Sequence, residues 1–87
     1  AGESRSASPE DLLDQKRAEE LFASLLVGLS DELRAAFVLY EIEGMTLPEI
    51  ARIADVPRAT AASRVRRARE EFQRRLERYR KRTRGER

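Results

Sequence analysis

A short segment in the second half of the chain carries side chains suited to binding a polyanion. Between Arg58 and Arg67 the sequence reads RATAASRVRR, in which arginines are interspersed with small and hydroxylated residues. An arginine can donate two parallel hydrogen bonds to O6 and N7 of guanine, and a hydroxyl group can bond a base or a phosphate. The segment therefore predicts recognition of double-stranded DNA.

The helical period sorts these residues by direction. With Val65 facing a core and a step of about 100° per residue, the residues that point outward or sideways are Thr60, Ser63, Arg66 and Arg67. Arg58 and Arg64 flank this surface and suit phosphates, although Arg64 could instead pair with a carboxylate of the domain. The methyl group of Ala62 could meet a thymine methyl group. The candidate DNA-binding residues are Arg58, Thr60, Ala62, Ser63, Arg64, Arg66 and Arg67.

Catalysis is not expected from this chain. It has no His and no Cys, so the usual general base and the soft metal ligands are missing. Residues one or two apart on a helix do not face each other, which excludes a convincing carboxylate pair at Asp31–Glu32, Glu41–Glu43 or Glu70–Glu71. We predict no catalytic residue, no metal site and no cofactor.

Two short helices must position the candidate residues. The first begins at Thr46, which with Glu49 has the spacing of a capping box, and Pro48 falls in its first turn. Pro57 ends this helix and opens the next. The apolar positions are Ile50, Ala51, Ile53 and Ala54 in the first helix and Ala61, Val65, Ala68 and Phe72 in the second. Such a pair is typical of a helix-turn-helix that enters the DNA major groove.

Two further helices precede this pair. Ser8 is expected to cap the first, which runs to about Val27, where Gly28 provides a left-handed C-terminal cap. Ser30 is expected to cap the second, which Gly44 closes. The predicted core comprises Leu25, Leu29, Leu33, Phe37, Tyr40, Ile50, Ile53, Val56, Val65, Ala68 and Phe72.

The predicted fold class is all-α: a four-helix single domain with a C-terminal helix-turn-helix and a long basic recognition helix. We expect residues 1–8 to be disordered or a linker, residues 9–82 to form the domain, and residues 83–87 to form a frayed tail. The chain of 87 residues is long enough for one small core only.

Charge is divided sharply along the chain. Residues 1–57 hold five basic and twelve acidic residues, a balance of −7, whereas residues 58–87 hold thirteen basic and four acidic residues, a balance of +9. Basic groups clustered on one element displace counterions from phosphates. A solvated arginine-rich helix is the alternative explanation. The acidic half would repel nucleic acid and is left for protein contacts.

Other features bear on location. The absence of Cys fits a reducing compartment. The apolar runs are far shorter than the roughly 18 residues that span a membrane, and the start AGESRSAS lacks the apolar core of a signal peptide. We therefore expect a cytoplasmic protein with no membrane partner. Because the chain begins at Ala1 rather than Met, we expect a fragment or a processed product.

The segment from Leu29 to Leu76 resembles region 4 of bacterial sigma factors of the extracytoplasmic-function group. Matching positions are Leu29, Arg34, Phe37, Leu39, Glu43-Gly44, Glu49-Ile50-Ala51, Pro57, Thr60, Ser63-Arg64 and Arg67-Ala68-Arg69. The departures from the pattern are Asp55 for the usual turn glycine, Ala59 for a glycine, Ala61 for a valine, and Ala62 where a lysine or arginine is common. The change at Ala62 removes one expected DNA contact.

The resemblance implies sequence-specific binding at the −35 promoter element, within a sigma factor that directs transcription initiation. It implies three partners: double-stranded promoter DNA, the RNA polymerase core through its β-flap, and an anti-sigma factor. Two alternatives remain open. One is a protein-interaction module, for anti-sigma or polymerase docking or as a sigma mimic. The other is the DNA-binding domain of a response regulator.

Overall fold

Four α-helices make up the computed structural model, which describes residues 8–85. They are α1 (Pro9–Val27), α2 (Asp31–Phe37), α3 (Leu47–Ala54) and α4 (Arg58–Gly85), and a π-helical turn, Val38–Ile42, follows α2 directly. No strand occurs within residues 8–85. The predicted all-α class with a C-terminal helix-turn-helix is confirmed. Except for Ser8, the linker predicted at residues 1–8 lies outside the described residues.

The first two helices begin where their serine caps were predicted. Ser8 Oγ accepts a hydrogen bond of 3.1 Å from the N–H of Asp11, and Ser30 Oγ accepts one of 3.3 Å from the N–H of Leu33. Each serine satisfies a backbone donor that the first turn of a helix cannot, which stabilises a helix by about 1 kcal/mol. These starts are therefore determined locally.

The core consists of two adjoining clusters along α4. The first joins α2, α3 and α4 through Ala36, Ile50, Ala51, Ala61 and Val65. The second is formed by Leu29, Phe37 and Ala68, with Leu26, Leu33 and Phe72 packed against it. Because α4 contributes to both, its direction is determined by the whole core.

An aromatic cluster ties α1 to the rest of the domain. The ring centroids of Phe37 and Phe72 lie 5.0 Å apart in a stacked arrangement. Phe22 approaches Phe72 at 5.4 Å and Phe37 at 6.2 Å, in both cases tilted. Such distances fall in the range where aromatic pairs attract each other beyond simple burial.

The predicted core was wrong at Ile53, which is 60% exposed. Ile50 and Ala51 are buried, and Ile53 lies roughly 110° around the helix from the direction midway between them. Ile53 is thus beyond the edge of the buried face. The small residues Ala36, Ala51 and Ala61, absent from the predicted core, are buried instead, and they allow the helices to approach closely.

The end of α2 also differs from the prediction of a helix closed by Gly44 alone. The N–H of Glu43 bonds to the carbonyl of Val38 at 2.9 Å, which is the five-residue spacing of a π-helix. Gly44 then adopts a φ of 73°, and the N–H of Met45 bonds to the carbonyl of Leu39. Four of the five residues VLYEI are apolar, so their pattern has no period that could distinguish the two helix types.

Gly28 follows α1 but is not the left-handed cap that we predicted. Its φ is −74° and its ψ is −10°, a right-handed conformation open to any residue. The structure gives another role to this glycine. A Cβ atom there would lie 1.9 Å from Cζ of Arg75, so the lack of a side chain makes room for the guanidinium group of α4.

Both ends of the domain extend beyond the core. The radius of gyration is 16.5 Å, whereas a compact chain of this length would have about 12 Å. Residues 9–20 of α1 are exposed, and so are residues 77–85 of α4. Helix α4 continues to Gly85, three residues into the segment predicted to fray, and residues 86 and 87 lie outside the described residues. We call residues 73–85 the C-terminal arm of α4.

Among residues 8–85, no helix combines the length and the apolar character needed to cross a lipid bilayer.

Candidate nucleic-acid interface

Helix α3 is fixed at its start by the predicted capping box. Thr46 Oγ1 accepts a hydrogen bond of 3.3 Å from the N–H of Glu49, and Glu49 Oε1 accepts one of 2.9 Å from the N–H of Thr46. The backbone N–H of Thr46 is the main cause that lowers the pKa of the Glu49 carboxyl below its usual value of 4.5, and the Thr46 hydroxyl group adds to it. The capping box therefore requires an ionised Glu49 for its full strength.

The turn between α3 and α4 contains a residue in an unusual conformation. Asp55 has φ 58° and ψ 51°, the left-handed region that favours glycine. Its N–H bonds to the carbonyl of Arg52, and the N–H of Val56 bonds to the carbonyl of Ala51 at 3.0 Å. This geometry explains why a glycine is usual at this position of the family pattern, and why aspartate, which tolerates the region better than most residues, can replace it.

The start of α4 offers free backbone donors to an anion. The carbonyl of Pro57 accepts hydrogen bonds from the N–H groups of Thr60 and Ala61. Within residues 8–85 no acceptor bonds to the N–H of Arg58 or Ala59, and the first turn of α4 has no acidic residue. The unpaired N–H groups and the positive end of the helix dipole favour a phosphate there.

Three of the predicted arginines of α4 are open to solvent. Arg58, Arg66 and Arg67 are exposed. Arg66 and Arg67 lie on the side of the helix away from the buried residues Ala61, Val65 and Ala68. Arg58 lies in the first turn of the helix, on the same side as Val65. The guanidinium groups of the three arginines are absent from the ion pairs found among residues 8–85. They are therefore available for an external anion or a base edge.

The small predicted residues lie half-buried beside these arginines. Thr60, Ala62 and Ser63 are all of intermediate exposure. Ser63 Oγ donates a hydrogen bond of 3.1 Å to the carbonyl of Thr60. The hydroxyl group can therefore accept a further hydrogen bond but has no hydrogen left to donate. In the major groove it could accept from the amino group of adenine or cytosine. Contact with a phosphate, which offers only acceptors, would require the bond to Thr60 to break.

Ala62 lines a shallow depression on the flank of the recognition helix. Arg66, Arg69 and Glu70 of α4 share this depression with Tyr40 and Leu47. The methyl group of Ala62 leaves open the space that a long basic side chain would cross. Arg66, four residues farther along α4, borders the same depression.

Arg64 is placed differently from the other arginines. Its Nη2 lies 3.7 Å from Oε2 of Glu32 in α2, and its side chain is only 23% exposed. This is the carboxylate pairing considered as the alternative to a phosphate contact. Glu32 was not among the predicted site residues, and nothing in the spacing of Glu32 and Arg64 identifies them as partners.

Arg69, one of the arginines of the family pattern, also pairs within the domain. Its Nε donates to Oε2 of Glu41, and its Cζ lies 5.5 Å from the centre of the Tyr40 ring. The hydrogen bond to Glu41 raises the pKa of the Arg69 guanidinium above its usual range. Arg69 thus links the π-helical turn to α4 and is turned away from a DNA-reading role.

Acidic residues limit how far the basic face extends. Glu70 follows the exposed arginines, and two ion pairs with a three-residue spacing come next: Arg74 with Glu71 at 2.6 Å and Arg80 with Glu77 at 3.3 Å. The hydrogen bond from Arg74 lowers the pKa of the Glu71 carboxyl. The DNA-compatible face is therefore confined to the first three turns of α4.

In residues 8–85 no three His, Cys, Asp or Glu side chains are grouped to hold a metal ion.

Comparison with known proteins agrees with this geometry. The family model "Sigma-70, region 4" matches residues 19–72, which include part of α1, all of α2 and α3, and the first half of α4. This match selects the sigma-factor interpretation over a response regulator.

Curated relatives carry the name "ECF RNA polymerase sigma-E factor". Those of Escherichia coli (strain K12) and Salmonella typhi are each 36% identical to this chain over 64 residues, which cover 74% of the chain and 34% of the relative. That of Haemophilus influenzae is 31% identical over 70 residues, covering 80% of the chain and 37% of the relative. The chain thus spans about a third of the length of these relatives. The segment matched by the family model contains the capping box, the left-handed turn and the exposed arginines of α4, and the chain belongs to the family of sigma-70 region 4 domains, of the extracytoplasmic-function type.

Proposed function

We propose that this chain binds the −35 element of a promoter as region 4 of a sigma factor that directs transcription initiation. The observation that carries the proposal is the first half of α4, where Arg58, Arg66 and Arg67 are exposed and take part in none of the ion pairs found among the described residues. In a helix-turn-helix, the N-terminal residues of the second helix meet base edges in the major groove. Family membership supports the same orientation.

Direct reading of bases is assigned to the residues nearest the groove. Arg67 and Arg66 suit guanine through paired hydrogen bonds, and Ser63 offers an acceptor to an amino group. Ala62 suits the methyl group of thymine, so the preferred promoter differs at one position from that of relatives with a basic residue there.

Contacts with phosphates are assigned to the start of the helix. The N–H groups of Arg58 and Ala59 point out of the first turn without internal partners, and Thr60 lies beside them. The exposed Arg58 side chain adds a positive charge. These contacts orient the helix without reading sequence.

The other partners are proposed from the family. The name of the relatives ties them to RNA polymerase, and we extend docking on the polymerase core, through its β-flap, to this chain. An anti-sigma factor is the second proposed protein partner, and the bacterial cytoplasm is the proposed location. The acidic half of the chain, with its balance of −7, is the surface for such contacts. We assign the chain no catalytic role.

The test is selection from a pool of random DNA duplexes at two salt concentrations. We expect an enriched motif and an affinity that falls steeply with salt, because each neutralised phosphate contributes about 0.9 to the slope of log affinity against log salt. Arg67→Ala should cost about 1–3 kcal/mol and relax one base position, whereas Arg58→Ala should weaken all sequences equally. An affinity that barely changes with salt, or the absence of any enriched motif, would contradict the proposal.

The second candidate function is a protein-interaction module. Two observations favour it: Arg64 and Arg69 are paired with Glu32 and Glu41, and Ala62 carries no charge. If the Arg58→Ala and Arg67→Ala variants kept full DNA affinity but no longer bound polymerase or an anti-sigma factor, this second function would replace the first.

A further inference from the structure

We infer that Glu70 is a specificity-determining residue of the DNA-binding surface. Its carboxylate directs Arg67 toward base edges and repels the phosphates that a complex with the wrong sequence would engage. The inference rests on the proposed DNA-binding function and deepens it, because it assigns a role to an acidic side chain that is not among the predicted site residues.

Glu70 lies at the centre of the outward face of α4. With a step of about 100° per residue, its direction is roughly opposite that of the buried residues of the helix. The directions of Arg66 and Arg67 lie on either side of it, roughly 40° and 60° away. Glu70 therefore shares a face with the two arginines that are proposed to read bases.

Both arginines lie within reach of the Glu70 carboxylate. Arg67 and Arg66 precede Glu70 by three and four residues, and residues so spaced on a helix have Cβ atoms about 5–6 Å apart. Helical side chains lean toward the N-terminus, so the carboxylate lies over the turn that carries the arginines. Arg66 and Glu70 also border the same depression beside Ala62.

The Glu70 carboxylate is not committed to another side chain. Glu70 is exposed, and it takes part in none of the ion pairs found among residues 8–85. By contrast, the adjacent Glu71 pairs with Arg74 at 2.6 Å. Glu70 thus offers an open acceptor beside the base-reading arginines.

The geometry of the guanidinium group explains how a carboxylate favours the right sequence. The group has five N–H donors in a planar fork, and two of them serve O6 and N7 of guanine. When Arg67 reads a guanine, a further N–H remains for Glu70, and this bond fixes the plane of the fork. Exclusion of water by the bound DNA strengthens such an ion pair.

The same carboxylate opposes binding to the wrong sequence. Without a guanine to bond, Arg67 turns to a phosphate, because phosphate contacts supply non-specific affinity. Glu70 then brings a negative charge toward the same anion. The carboxylate therefore stabilises the base-reading arrangement and destabilises the arrangement that uses phosphates alone.

The experiment measures the affinity of the full chain for two duplexes by fluorescence anisotropy at low salt. One duplex carries the motif enriched by selection, and the other has the same bases in scrambled order. The ratio of the two affinities is the specificity ratio. Glu70→Gln removes the charge and keeps the size of the side chain. Glu71→Gln removes the same charge from the next residue, which points roughly 100° away, and is the matched control. Circular dichroism verifies that both variants stay helical.

We expect Glu70→Gln to bind the scrambled duplex about threefold more tightly, because a repulsive charge is lost. Its affinity for the motif duplex should change little, because the lost repulsion is offset by the lost positioning of Arg67. The specificity ratio should therefore fall by about threefold, whereas Glu71→Gln should change it by less than about 1.5-fold. In the Arg67→Ala background, Glu70→Gln should leave the ratio unchanged, since no guanidinium group remains there to be directed.

Three results would overturn the inference and leave the proposed function standing. They are an unchanged specificity ratio in Glu70→Gln, an equal fall of the ratio in Glu71→Gln, which would reduce the effect to net charge, and a fall that persists in the Arg67→Ala background. A parent chain that binds both duplexes equally would contradict the proposed function itself, and the role of Glu70 would fail with it.

Discussion

Replacement of Phe37 by alanine is the sharpest test of the packing. Phe37 is 7% exposed and its ring stacks on that of Phe72 at a centroid distance of 5.0 Å. Truncation of a buried phenylalanine to alanine costs about 3–5 kcal/mol, part of which is aromatic pairing worth about 0.5–1.5 kcal/mol for each pair. Small domains are stable by about 5–15 kcal/mol. Phe37→Ala should therefore remove a large part of the free energy of unfolding.

The matched control is Phe22→Ala in the same aromatic cluster. Phe22 is 37% exposed and both of its ring contacts are longer than that between Phe37 and Phe72. Since the cost scales with the apolar area buried, we expect Phe22→Ala to cost about half as much as Phe37→Ala, or less. Urea denaturation followed by circular dichroism at 222 nm measures both. A destabilisation below about 1 kcal/mol for Phe37→Ala, or an equal destabilisation for the two variants, would refute the proposed core.

The remaining predictions concern the turn, the cap and the paired arginine. Asp55→Gly should be more stable than Asp55→Ala by about 1 kcal/mol in urea denaturation, because alanine at a φ of 58° is strained; equal stability would contradict the left-handed turn. Hydrogen bonds from Thr46 lower the pKa of Glu49 in the folded state. The ionised Glu49 carboxyl therefore stabilises the fold above pH 4.5, and this stabilisation is lost as the pH falls below that value. Between pH 7 and pH 3 the melting temperature of Glu49→Gln should drop less than that of the parent chain, and an equal drop in the two would contradict this. Glu32→Gln should release Arg64 and raise DNA affinity by up to about threefold in a low-salt titration, whereas no gain would confine Arg64 to a structural role.

Local signals in the sequence were sufficient for the helix starts. Ser8, Ser30 and the Thr46–Glu49 pair each act within three residues, and all three caps were confirmed. The family pattern also predicted the helix-turn-helix. It identified Asp55 as standing where glycine is usual, and the left-handed φ of Asp55 explains why glycine is preferred at that position.

Features that depend on packing were not predictable in this way. The pairs Glu32–Arg64 and Glu41–Arg69 join residues that are distant in sequence and belong to different helical segments. Their charges are no different from those of the many solvated residues around them. In the sequence, Gly28 is explained simply as the residue that ends a helix. Only the three-dimensional structure shows that its missing side chain makes room for the guanidinium group of Arg75.

Helical periodicity resolved the direction of residues only approximately. In the short helix α3 it placed Ile53 in the core, although the buried direction lies nearer Ile50 and Ala51. Along the outer face of α4 it correctly left Arg66 and Arg67 exposed. It could not show that Ser63 already donates its hydroxyl hydrogen to Thr60, which limits the side chain to accepting hydrogen bonds from DNA.

The central claim is that the start of α4 is the DNA-binding surface, and backbone amide shifts measured by NMR test it most directly. The chain, labelled with ¹⁵N, is titrated with the duplex enriched by selection. The account predicts the largest shift changes at Arg58, Ala59, Ser63 and Arg67, with residues 9–20 and the C-terminal arm of α4 nearly unchanged. Shift changes concentrated on the C-terminal arm or on α1, with the first turns of α4 unaffected, would contradict it.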